Sequence, residues 1–275
     1  MKNLRNNASL LDNMLHKTPR KQDQAQCVLN KATLTVLTLL ALVVAPNIVL
    51  AKPLSSDAAT IAELTILSGG DRMPGLIYIA AGKGPHPTAV FLHGYPGNER
   101  SLDVAQAARA AGWNAVYFNY RGAWGAEGEF SFMNAEADVQ STLKYLSDPD
   151  NATRLRIDPK QLSLVGHSMG GHMSVAGMLD NENVRCAVAY DGVNIGAWAV
   201  SDTLWSDYSD TLFMLKDWSG AKSISEVDAH RAKFDLVPRL KSLGERHLLI
   251  LAADTQVIPI EQHITPIVEA VRQQS

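Results

Sequence analysis

Cysteine is nearly missing from this 275-residue chain, which has only Cys27 and Cys186. Two thiols cannot build a disulfide framework. Cys27 also falls in a leader that the mature chain is expected to lose, which leaves Cys186 as a lone buried thiol in the apolar run 184–190. The eight histidines are scattered, and no Cys/His spacing suits zinc, so no metal site is expected. A surplus of positive charge is missing too. The first 51 residues hold six Lys and Arg and two Asp and Glu, so the remainder carries 19 against 26, a net of −7. An acidic body excludes nucleic acid as an expected partner. There is no internal repeat and no low-complexity segment. With 46% apolar and 19% charged residues, the chain is globular and long enough for one large α/β domain.

One long apolar run stands out. Ala32 to Leu50 follows a basic region with Lys17, Arg20, Lys21 and Lys31, and it ends in Val49-Leu50-Ala51 before Lys52-Pro53. Basic region, apolar run and small-residue end together form an export signal over 1–51, cut after Ala51. Met14 is an alternative start. The expectation is an exported protein, periplasmic or secreted, with 52–275 as its folded domain. The run approaches the ~20 residues that span a bilayer, so an uncleaved anchor is the competing reading. Only in that case would a membrane be a partner.

The chemistry centres on Leu162-Ser163-Leu164-Val165-Gly166-His167-Ser168-Met169-Gly170-Gly171-His172-Met173. A bare G-x-S-x-G arises by chance in about one chain in ten of this length. Here a strand pattern over 157–165 enters it and a helical pattern from Met173 leaves it, as in a nucleophile elbow. Ser168 is therefore the expected nucleophile. The rest of the chain alternates in the same way. Strands are expected over 61–67, 75–80, 88–92, 114–118, 184–190 and 248–252, with the first two forming an antiparallel hairpin at a sheet edge. Helices are expected over 102–111 and 135–146. This alternation implies right-handed crossovers and a mainly parallel sheet. Residues 192–246 break the rhythm. That stretch is rich in Trp, Ser and Asp and helical in pieces such as 225–234, so it is expected to cap the C-terminal edge of the sheet, where open α/β folds bind ligands.

Four segments in this order resemble the α/β-hydrolase superfamily, and within it secreted serine esterases and prolyl-oligopeptidase-like hydrolases. They are His93-Gly94-Tyr95-Pro96-Gly97, Tyr120-Arg121-Gly122-x-Trp124-Gly125, Gly166-His167-Ser168-Met169-Gly170-Gly171 and Asp254-Thr255-Gln256-Val257-Ile258-Pro259. The resemblance implies acyl transfer to Ser168 from a carboxylic ester, small amide or peptide, without a cofactor. It implies an oxyanion hole made by the backbone N–H groups of Met169 and Tyr95. It also implies Asp254 as the acid, with Asp191 as the alternative at the preceding strand end, and His93 as a residue that shapes the oxyanion loop.

The chain departs from the family pattern after Asp254. The family places its histidine on a loop beyond one further strand. Only 21 residues follow Asp254 here, and His263 is their one histidine. Residues 260–272 are expected to form a single helix with Ile264, Ile267, Val268 and Val271 on one apolar face. The last strand and helix are thus not found; the base is absent, or His263 or another histidine substitutes, with His167 and His172, nearer in sequence, read as structural. Two outcomes are open: a serine hydrolase, or a catalytically silent or truncated protein of the same fold with a binding role.

Overall fold

The computed structural model describes residues 57–198, 203–253 and 258–273. The leader expected over 1–51 and the acid candidate Asp254 lie outside the described residues. Seven strands form one sheet: β1 Thr60–Ser68, β2 Asp71–Ile79, β3 His86–Leu92, β4 Asn114–Phe118, β5 Ile157–His167, β6 Val184–Tyr190 and β7 His247–Leu251. Their order across the sheet is β1-β2-β4-β3-β5-β6-β7. β2 runs antiparallel to both β1 and β4, and the remaining pairs are parallel. The hairpin closes on Gly69 and Gly70, both at positive φ (59° and 94°), which is what a two-residue turn matched to strand twist demands.

The helices are α1 Leu102–Ala110, α2 Phe132–Ser147, α3 Pro149–Arg154, α4 Met169–Leu179, α5 Thr203–Asp210, α6 Gly220–Phe234, α7 Leu236–Arg239, α8 Ile260–His263 and α9 Thr265–Arg272. Ser131 caps α2 and Ser219 caps α6, each hydroxyl accepting from a backbone N–H three residues on. Helices α5 to α7 fill the insertion expected over 192–246. Residues 260–272 are not one helix, because the chain breaks at Ile264, two residues before Pro266 in the first turn of α9. Proline has no N–H to continue the α8 ladder and is tolerated only at a helix start. Among the described residues no helix is long and apolar enough to cross a membrane.

Alternation along the strands sorts side chains onto two faces. On the first, Val90, Leu92, Val116, Leu164, Ala187 and Ala189 pack beneath α2 and α4 in the main core. On the second, Ala89, Phe91 and Ala115 pack under Ala105 of α1. Cover on the second face thins toward β7, the edge strand, where Leu249 and Leu251 are 49% and 52% exposed. Cys186 lies on this same face. It is a free thiol, half-buried rather than buried, because no helix among the described residues covers its stretch of sheet as α1 covers Phe91.

Candidate active site

Ser168 is the junction between β5 and α4, with φ 53° and ψ −116°. A side chain in that region is strained, and the surroundings hold it there. Its N–H donates to Tyr190 O at 3.2 Å, and its carbonyl accepts from Gly171 N–H at 2.9 Å and Val193 N–H at 3.2 Å. The glycines are required by contact. A Cβ on Gly166 would lie 1.8 Å from Gly170 O, and one on Gly170 would lie 1.9 Å from Leu92 O. Helix α4 thus starts against the ends of β3 and β5. All eleven of its residues are buried.

The loop 93–97 lies directly beside this turn. A Cβ on Gly94 would stand 3.3 Å from Ser168 Cβ, and one on Gly97 would meet His93 Nδ1 at 2.3 Å. His93 is 2% exposed, and its Nδ1–H donates to Gly94 O at 2.9 Å. Burial holds its pKa down to about 4, so it is a neutral strut of the loop. Tyr95 is clamped by the cap. Its ring stacks on Trp205 at 4.9 Å, and its hydroxyl accepts from Trp218 Nε1–H. Trp198 and Trp205 meet at 3.8 Å, while Phe130 and Phe132 meet Trp218 edge-on at 5.1 and 5.2 Å. The Trp-rich insertion is therefore an aromatic buttress for the Tyr95 loop. Met169, as the first residue of α4, has an N–H with no intrahelical acceptor.

The structure seals His263 beneath the cap, beside the segment that follows β6. It is 2% exposed, its Nδ1 accepts from Asn194 N–H at 3.2 Å, and its ring meets Trp198 edge-on at 6.0 Å. Burial lowers its pKa. His172 is fully buried one turn into α4. Its Nδ1 accepts from Ile195 N–H and its Nε2–H donates to Glu136 Oε1, both at 3.3 Å. Glu136 also pairs with Arg239 and Lys233, each at 3.2 Å, which ties the elbow helix to α2 and to the cap. Nothing in the sequence marks this cluster, because its members are far apart in the chain. Asp191, the alternative acid, accepts from Ala253 N–H at 2.6 Å and so braces the end of β7. Among the described residues no His/Cys/Asp/Glu group could hold a metal ion.

His167 projects onto the second face of the sheet. Its ring stacks on Tyr190 at 5.0 Å, its Nδ1 is 3.6 Å from Glu99 Oε2, and its side chain is 31% exposed. Glu99 is a residue that sequence reasoning passes over. Only its place two residues after Gly97, on the loop beside the elbow, could have signalled it.

Residues 77–203 match the BD-FAE family model. No curated protein matches the sequence. Among solved structures, the chain is similar to 2,6-dihydroxy-pseudo-oxynicotine hydrolase (19% identity, 80% of this chain and 59% of that one, TM-score 0.57). It is also similar to Pyrococcus horikoshii acylaminoacyl peptidase (17%, 80% and 36%, 0.58). A third likeness is the alpha/beta hydrolase GrgF from Penicillium sp. sh18 (12%, 78% and 86%, 0.56). The chain thus spans less than two thirds of each of the first two proteins. With its strand order, single antiparallel strand β2 and elbow, it has the α/β-hydrolase fold.

Proposed function

We propose that this protein is an exported serine hydrolase that cleaves carboxylic esters, or small amides and peptides, through an acyl-enzyme on Ser168. The observation that carries the reading is the strained Ser168 backbone at a glycine-packed strand-to-helix turn. The matched hydrolases and peptidase support it. In this reading the N–H groups of Met169 and Tyr95 receive the oxyanion, and losing one such donor costs about 3 to 4 kcal/mol of barrier. The aromatic buttress holds the Tyr95 donor in place. Asp254 is kept as the proposed acid. His263 is a weaker base than its position in the chain suggests, because its ring is sealed against Asn194 and Trp198.

The test is hydrolysis of p-nitrophenyl acetate and butyrate by the full chain beside Ser168→Ala. The expected loss in the variant is about 10³-fold or more. Wild type no faster than Ser168→Ala would transfer the protein to the second reading, a silent α/β-hydrolase-fold protein that binds through its cap. That reading draws on the absence, among the described residues, of a histidine bonded to the Ser168 hydroxyl. Export is checked by the intact mass of protein recovered outside the cytoplasm, which should lack residues 1–51.

A further inference from the structure

We propose that His167, oriented by Glu99, is the base that takes the Ser168 proton; this rests on the serine-hydrolase reading above. Of the seven described histidines, His93, His172 and His263 are buried, each with Nδ1 against a backbone group, and His172 Nε2 is taken by Glu136. His86 and His247 begin β3 and β7, at the opposite end of the parallel strands from the elbow, and His230 lies exposed on α6. His167 stands at the nucleophile's edge of the sheet, half-exposed, with a carboxylate beside its Nδ1.

The carboxylate is itself held. Glu99 Oε1 accepts from the Ser101 N–H and from the Ser101 hydroxyl at 2.8 Å, and Oε2 accepts from the Tyr190 hydroxyl at 3.3 Å. Ser101 sits in the left-handed region at φ 49°, a strained position for a serine, and its hydroxyl also meets the Tyr190 hydroxyl. Tyr190 is thus both the floor under the imidazole and a donor to its carboxylate. Burial pushes its phenol up to about 12, so it stays a donor. Strand pairing fixes the stack, because His167 and Tyr190 are register partners across β5 and β6.

Reach to the nucleophile is short. His167 Nδ1 and Ser168 Cβ each lie 3.3 Å from the point where a Cβ on Gly94 would stand, so they are at most twice that distance apart. The proposal requires a side-chain rotation or one intervening water to bring Nε2 to Ser168 Oγ. With Nδ1–H turned to Glu99, Nε2 is the basic nitrogen. The Ser168 O–H bond breaks and its proton moves to Nε2. An Oγ–C bond forms at the substrate carbonyl, and the carbonyl π pair moves onto the oxygen. Collapse of that adduct breaks the bond to the leaving group, which takes the proton back from Nε2. Water then repeats the sequence to release the acid and restore Ser168.

The experiment measures, on the full chain, the rate of Ser168 labelling by a fluorophosphonate and the kcat/KM for p-nitrophenyl butyrate. His167→Ala is expected to lose about 10²-fold or more in both. Added imidazole should restore part of that loss, which a merely structural role would not allow. Glu99→Gln, which keeps the side chain's size and one acceptor oxygen, should lose about 10-fold or more. An active wild type with His167→Ala and Glu99→Gln unchanged overturns the assignment of the base alone. So does loss confined to His263→Gln. A wild type that labels no better than Ser168→Ala overturns both this assignment and the hydrolase reading beneath it.

Discussion

Phe91 and Leu249 stand in one row on one face of one sheet, linked through the paired residues Val165 and Val188. Phe91 is 3% exposed and Leu249 is 49% exposed. The side chains are alike in hydrophobicity, so the difference lies in what covers them. Helix α1 lies over β3 and β4, and no described helix continues that cover to β7. Ser168 stands between these regimes. Its position is over-determined by β3, α4 and the end of β6, while β7 beyond them presents open apolar surface. A strained turn can therefore be rigidly built next to a strand whose outer face is open.

The closed side should break first and most completely. Gly170→Ala places a methyl where Leu92 O and His93 O already are, and neither backbone oxygen can turn away. A loss of about 4 kcal/mol or more is expected, read as failure to recover folded protein or as a collapsed denaturation midpoint. Unchanged stability would mean that the two strand ends are not locked to α4 at all.

The Glu136 cluster comes next. Burial raises the pKa of this carboxyl, but the hydrogen bond from His172 and the charges of His172, Arg239 and Lys233 outweigh it and hold it down to about 2, from 4.5. A carboxyl depressed by folding contributes stability above its unfolded pKa and loses it as pH falls toward its folded one. The contribution should thus be present at neutral pH and vanish between about pH 4.5 and 2. Glu136→Gln should cost about 2 kcal/mol at pH 7 and flatten the acid limb of a melting-temperature profile. An unaltered acid limb would remove Glu136 from the link between cap and elbow.

Legibility in the sequence follows the same division. Asn114–Phe118 and Val184–Tyr190 match their expected bounds, because short apolar runs between turn signals leave little choice of register. The elbow was legible because glycine, serine and strand pattern coincide in a dozen residues. Cys186 was read as buried and is half-buried, since strand composition cannot report whether a helix covers one face. The break at Ile264 lost to apolar periodicity, although Pro266 marked it. The Glu99–His167–Tyr190 contact was out of reach, because it depends on register between β5 and β6 and on a loop some 70 residues earlier.

Asp191→Ala probes the seam between the closed and open sides. Asp191 sits at φ 45° at the end of β6 and accepts from Ala253 N–H. Losing an exposed hydrogen bond to a carboxylate should cost about 1 kcal/mol. Hydrogen exchange at Ala253 should quicken, while the amides of α4 should stay protected. Equal loosening of α4 would show that the closed side depends on the open one.

The smallest effect on stability, and the sharpest on the comparison itself, is expected from Leu249→Lys. The side chain is half exposed on the edge strand of the described sheet, so the substitution should shift the unfolding free energy by no more than about 0.5 kcal/mol. An apolar edge with unpaired backbone groups is nonetheless a template for association, and a lysine is among the commonest ways to blunt one. Sedimentation of the wild type should show association that rises with concentration, and Leu249→Lys should reduce it without moving the melting temperature. Phe91→Lys, in the same row beneath α1, should instead unfold the protein. If wild type stays monomeric at every concentration tested, Leu249 is exposed without being adhesive, and the two ends of the row differ in cover but not in behaviour.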